Sequence, residues 1–146
     1  MKITYMISAV VLGTGLAFSA VTPAAIAQDA PAVTAEVSLP SGTLTKKKKK
    51  LRGNWEVVQR DGNTYIQFDE DFVAARGPDL KVFLSPQSIA DVTGKTAIEG
   101  ALNIGELQKT KGAQEYLIPA EVNLSDYTSV LVHCEQYAVL WGGSDL

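Results

Sequence analysis

The sequence predicts an all-β domain: an antiparallel β-sandwich with one short helix, preceded by a signal peptide and a flexible arm. Three observations carry that reading. Short runs of β-branched and aromatic residues, separated by turn residues, recur over the last ~95 positions. No stretch between them repeats apolar side chains at helical spacing for ten residues or more, which argues against a parallel α/β sheet. Asp61-Gly62 lies between two such runs, and Asp-Gly suits a type I′ hairpin turn because that turn needs positive φ.

The chain has 146 residues, of which 46% are hydrophobic and 20% charged, with a formal charge of −3. That length fits one domain, and the composition is that of a folded chain. There is 1 Cys and 1 His. The lone Cys excludes an internal disulfide, a four-Cys zinc site and an all-Cys iron–sulfur cluster within one chain.

Taken in order, residues 1–27 read as a signal peptide. Lys2 is followed by an uncharged stretch from Met6 to Val21, and Ala25-Ile26-Ala27 gives the small-x-small pattern that places cleavage before Gln28. The stretch is short of the ~20 apolar residues a spanning helix needs, and Gly13 and Gly15 sit inside it. A lipid anchor would need a Cys at the cleavage point, but the single cysteine is Cys134. The expected protein is therefore exported, periplasmic or secreted, with no transmembrane anchor after cleavage. It also loses both methionines, Met1 and Met6. Residues 28–45 read as a flexible Ala/Pro-rich arm, and residues 46–146 as the sandwich domain.

Lys46 to Lys50 are five consecutive lysines, whereas from Gly53 onward six Lys or Arg face fourteen Asp or Glu. A basic collar thus precedes an acidic body. Such a run either contacts anionic envelope polymers, lipid headgroups or nucleic acid, or is a solvated stretch that blocks edge pairing of the first strand. The second reading weighs more, and no nucleic-acid partner is expected.

Strands are expected over residues 51–58 and 64–68, flanking the Arg60-Asp61-Gly62-Asn63 turn. Thr64, Ile66 and Phe68 alternate with Tyr65, Gln67 and Asp69, the pattern of a half-buried strand. Gly77-Pro78-Asp79 forms a turn before a strand over 80–84. Ser85-Pro86 fits an N-cap and first helical position, so a short helix is expected to Val92, with Gly94 as its stop. Strands over 102–107, 115–118 and 129–141 complete the set, the last with a bend or bulge near Glu135-Gln136.

His133 and Cys134 are the chemically capable pair. Adjacent strand residues point to opposite faces, so the two cannot form a Cys–His nucleophile dyad. Val130, Val132 and Cys134 share one face, while Leu131, His133 and Glu135 share the other. Apolar company turns Cys134 toward the core, where a free Cys is commonly inert packing. In an exported protein an unpaired Cys reads equally well as a reactive or intermolecular thiol. His133 reads as a partly exposed strand histidine, and Trp55 and Trp141 as core or sheet-face anchors.

Counting excludes much else. One His cannot supply a blue-copper site or the usual three-ligand zinc sets, and Cys-x-x-Cys-His is absent. A non-covalent haem, not excluded, would have to use His133, Cys134 or a Tyr. Asp69-Glu70-Asp71 reads as a solvated strand end before it reads as a calcium loop. Hydrolase and nucleotide motifs are missing. Neither catalytic nor metal-ligating residues are assigned, and classical enzyme activity is not expected.

Several blocks, in order, resemble the DM-thirteen domain family, also called the electron-transfer DM domain. They are Gly53-Asn54-Trp55, Phe68-Asp69-Glu70-Asp71-Phe72, Gly77-Pro78-Asp79-Leu80, Gly112-Ala113-Gln114-Glu115-Tyr116-Leu117-Ile118-Pro119, Val130 to Cys134, and Leu140-Trp141-Gly142-Gly143. The resemblance covers residues 41–146 and is specific only when the blocks are taken together. It implies a β-sandwich akin to extracellular redox, haem- and sugar-binding domains, in a single-domain exported bacterial member. The family cysteine falls on Cys134, making it the redox candidate, as a bare thiol or through a prosthetic group, with His133 and Trp141 as neighbours. The expected role is thiol-based redox or electron transfer, with a redox or envelope protein as partner. The alternative is a non-catalytic cell-envelope binding module in which Cys134 is only core packing.

Overall fold

The computed structural model describes residues 39–146; the expected signal peptide, and the arm up to residue 38, lie outside the described residues. The strands are β1 (Ser41–Thr43), β2 (Thr45–Lys46), β3 (Leu51–Arg52), β4 (Asn54–Arg60), β5 (Asn63–Phe68), β6 (Val73–Ala74), β7 (Leu80–Ser85), β8 (Leu102–Glu106), β9 (Gln114–Ile118), β10 (Ser129–Cys134) and β11 (Val139–Asp145). They form a four-stranded sheet in the order β1-β4-β5-β9 and a five-stranded sheet in the order β2-β11-β10-β7-β8. A small ribbon pairs β3 with β6. The strand pairings are antiparallel, and the architecture is the expected β-sandwich.

The hairpin between β4 and β5 forms where Asp-Gly predicted it. Asp61 and Gly62 both have positive φ, 53° and 77°, as a type I′ turn requires. Alternation then sends Trp55 and Val57 inward beside Ile66 and Phe68, with Tyr116 and Ile118 of β9. From the facing sheet, Val82, Leu84, Val130, Val132 and Cys134 join the same cluster. Each large apolar side chain buried here contributes about 1.5–3 kcal/mol relative to exposure. Phe68 stacks on Phe72 at 4.7 Å and meets Tyr116 at 5.5 Å.

The five-stranded sheet is covered on its other face as well. Phe83, Leu131 and Leu140 pack beneath Val92 and Ala97 of the 86–101 segment, forming a second cluster. That segment is a chain of turns, not the expected helix. Ser85 Oγ does accept from the Gln87 amide at 3.2 Å, as a cap would. The amides and side chains beyond are claimed from outside, however. Asp145 accepts from the Ile89 amide at 2.8 Å and from Ser88 Oγ at 2.9 Å, and Gln87 Nε2 reaches the carbonyls of Thr96 and Glu99. The described residues form one helix only, a 3₁₀ turn at Leu124–Asp126 capped by Asn123.

Three boundaries differ from expectation. The strand expected over 51–58 breaks at Gly53, whose φ of 124° lets it pass against the Phe72 backbone, where a side chain would collide. The run expected over 129–141 is two strands joined by a turn at Glu135–Ala138, closed by the Ala138 amide donating to the Glu135 carbonyl. The fold also begins inside the expected arm. Ser41–Thr43 pairs with β4, and Leu44 is buried. The lysine run then lies along the edge of the five-stranded sheet, where Lys46 pairs with Gly142 and the Lys47 amide donates to the Trp141 carbonyl at 2.8 Å. Pairing there uses backbone groups and leaves the charged side chains in water. Gly142 permits the approach, since a side chain on it would meet the Thr45 carbonyl.

Candidate functional site

The candidate residues gather at the end of the β10–β11 hairpin. β10 is buried at every position. Its register against β7 pairs Cys134 with Leu80, and its register against β11 pairs Cys134 with Val139. Cys134 is a free thiol, 0% exposed, facing the cluster between the sheets. The nearest lysine along the neighbouring strand is Lys81, which pairs with His133 in the register and therefore lies on the opposite face from Cys134.

His133 departs from the expected partly exposed position: it too is 0% exposed. The reason is the 86–101 segment, which roofs this face. His133 Nε2 lies 2.7 Å from the Gly94 carbonyl oxygen. A carbonyl only accepts, so Nε2 carries the proton and donates. Nδ1 is buried with no hydrogen-bond partner among the described residues. Phe83 stands edge-on to the ring at 6.0 Å.

A register shift between Val132 and His133 brings Leu140 opposite His133 and Gly142 opposite Val132. The extra residue is Trp141, which turns inward and shares the inter-sheet cluster with Cys134. Its Nε1 donates to the Ala75 carbonyl at 2.9 Å, and its ring fills the space over Gly77. The structure therefore places Cys134 and Trp141 in one cluster and keeps His133 apart on the other face.

The turn after Cys134 is fastened from one side. Lys81 Nζ bridges Glu135 and Asp79, the latter at 3.3 Å. The Asp79 carbonyl accepts from the Glu135 amide at 3.1 Å, and Asp79 Oδ2 accepts from the Gln136 amide at 3.0 Å. The bond to Glu135, and then that to Asp79, holds the Lys81 ammonium above its ordinary range.

A haem does not fit at His133 or Cys134. Axial ligation needs an open ligand atom beside a flat cavity. His133 Nε2 is spent on Gly94, Cys134 is sealed on the other face, and neither lines any of the larger hollows. Of the acidic triplet, Asp69 accepts from Asn54 Nδ2 at 2.7 Å, and Asn54 in turn accepts from Thr43 Oγ1. No group of three or more metal-ligating side chains converges among the described residues.

Two hollows were missed by sequence reasoning. One, of about 420 Å³, lies on the outer face of the four-stranded sheet and is lined by Thr43, Asn54, Glu56, Gln67 and Asp69. The other, of about 500 Å³, lies against the β10–β11 hairpin and is lined by Lys48, Lys49, Lys95, Gly94, Val139 and Leu140. No local periodicity joins residues 48–49 to residue 95; the sheet edge and the roofing segment bring them together.

Neither a curated protein nor a solved structure matches the chain. A family profile does, that of Electron transfer DM13, over residues 43–145. That span runs from β1 to the last residue of β11 and takes in both sheets, the roofing segment and the Cys134 hairpin. The chain belongs to the electron-transfer DM13 family.

Proposed function

We propose that this chain is an exported electron-transfer domain without a catalytic site of its own, exchanging electrons with another envelope protein through Cys134. One observation supports that choice of residue: Cys134 is fully buried at the last position of β10, while Glu135, the next residue, is exposed. The thiol is one residue from solvent along the chain and shut off from it by packing. Its chemistry then waits on local opening of the Glu135–Ala138 turn, an event that costs less than global unfolding. Once exposed, the Cys134 thiolate attacks a disulfide of the partner. A mixed disulfide forms and one partner sulfur leaves as a thiolate. A dithiol of a second envelope protein then attacks the Cys134 sulfur, releasing the partner's other thiolate. Its remaining thiol closes that protein's own disulfide and frees Cys134, so that two electrons pass from dithiol to disulfide.

A second reading has its own support. The same complete burial, with no cation on that face, suits a binding module in which Cys134 is packing. Labelling of the folded protein with a small thiol reagent across a denaturant series separates the two, with Cys134→Ser as control. Local opening gives labelling in buffer alone that depends weakly on denaturant, because little surface is exposed. Labelling whose denaturant dependence equals that of global unfolding would sink the redox reading and bring the binding module forward.

A further inference from the structure

We propose that the lysine-walled groove beside the β10–β11 hairpin binds a small anionic amphiphile: one carboxylate, sulfonate or phosphate group on an apolar body. The inference is independent of any chemistry at Cys134.

The groove is about 500 Å³, within the range of small-molecule sites. Its floor is Ala138, Val139 and Leu140. Lys48 and Lys49 form one wall, Thr93, Gly94 and Lys95 the other. Lysine stems extend such an apolar floor while their ammonium heads stay in water at the rim. The site therefore offers apolar contact below and positive charge above.

Both walls are fixed to the β10–β11 hairpin. The Lys48 amide donates to the Leu140 carbonyl at 3.3 Å, and the preceding Lys47 amide to that of Trp141. On the far wall, the Gly94 carbonyl is held by His133 Nε2 from beneath. Gly94 packs so closely on the hairpin that a side chain there would run into the Ala138 carbonyl. The backbone beneath both walls is thus held before anything binds, which reduces the ordering cost of binding.

Charge makes the site distinct. From Gly53 onward acids outnumber bases fourteen to six, so most of the surface repels anions. The ion pairs among the described residues are Arg60–Glu115 and Lys81 with Asp79 and Glu135. Lys48, Lys49 and Lys95 take part in none of them. The hollow on the four-stranded sheet has the opposite character, carrying Glu56 and Asp69 and no cation. Lys46, Lys47 and Lys50 carry the same charge as their neighbours but do not line the groove, which supplies an internal control.

The probe is anilinonaphthalene sulfonate, titrated into the protein by fluorescence, with phenylnaphthylamine as a neutral analogue of the same ring body. One saturable site is expected, tighter for the sulfonate and weakened by salt. Lys95→Gln, and the pair Lys48→Gln with Lys49→Gln, should each weaken sulfonate binding about fivefold, the scale of an exposed charge contact. The pair Lys46→Gln with Lys47→Gln should leave it unchanged. Circular dichroism of each variant guards against an unfolded state that binds the dye. Equal losses from the two lysine pairs, or equal affinity for the neutral dye, would overturn the groove. Anionic vesicles, bound equally well by all variants and displacing the dye, would instead mark the run as a lipid-facing patch and also overturn it.

Discussion

On the four-stranded sheet, Thr43, Asn54, Glu56 and Gln67 face water, whereas on the five-stranded sheet Phe83, Leu131 and His133 lie under the 86–101 segment. The first is a sheet with one buried face, and the second has two. The difference teaches that adjacent strand residues are not automatically one in and one out. Cys134 and His133 point in opposite directions, and both end fully buried, one against the facing sheet and one beneath a roof of turns.

The comparison is most directly broken at the roof. Phe83→Ala should cost about 3–5 kcal/mol in denaturant unfolding, the scale of a true core truncation. Glu56→Ala, outward on the other sheet, should stay within about 0.5 kcal/mol. Similar small values for both would mean that the roof encloses no second core.

Cys134→Ser tests the inner face of the same sheet. Placing a hydroxyl in that apolar cluster should cost about 1–3 kcal/mol. A neutral result would mean that water or a polar group already reaches the position.

High pH sharpens the contrast through two groups. Burial pushes the Tyr116 phenol, on the inner face of the four-stranded sheet, up to about 12. Its hydroxyl donates to Gln114 Oε1 at 2.8 Å. An unfolded phenol ionises near 10, so folding stability is intact below that pH and falls as pH rises from 10 toward 12. Lys81 acts with the same sign: its raised value means that the Glu135 clasp stabilises below 10.5 and is lost above it. Thermal melts over alkaline pH should show the decline. Tyr116→Phe should flatten the part due to the phenol and Lys81→Gln the part due to the clasp. A decline unchanged in both variants would remove these groups as its cause.

The smallest effect is expected at the sheet edge. Replacing Lys46 to Lys50 with Ser should change stability by about 0.5 kcal/mol or less, since the backbone makes the edge bonds. A large loss would show that the lysine stems pack as well as shield.

The legible part of this fold was the part governed by one buried face. Thr64, Ile66 and Phe68 alternate because only one side of β5 meets the core, and Asp61-Gly62 fixes the turn before it. Where both faces are buried, alternation carries no signal. The near-continuous run Val130-Leu131-Val132-His133-Cys134 was itself the mark of a doubly covered strand, and reading it as half-buried misplaced His133. The missing helix failed for a different reason. Its cap signal at Ser85 is real, but Asp145, far along the chain, takes the Ile89 amide. Cys134 and Trp141 share a cluster through a bulge that no spacing rule anticipates, and the lysine groove depends wholly on long-range packing.

One pairing bears on how the chain assembles. Thr45 and Lys46 take their partners from Gly143 and Gly142, so the second strand waits for the last one. β1, only two residues earlier, pairs with the nearby β4 and has no such delay. A ribosome delivers the N-terminal side first, so the lysine segment must remain unseated until Gly142 and Gly143 emerge. Closing so long a loop is entropically slow, and pairings of this separation mark late steps. Truncating the chain before Gly142 would therefore remove a C-terminal strand and also strand its basic edge at the opposite end, leaving an intermediate with open backbone groups.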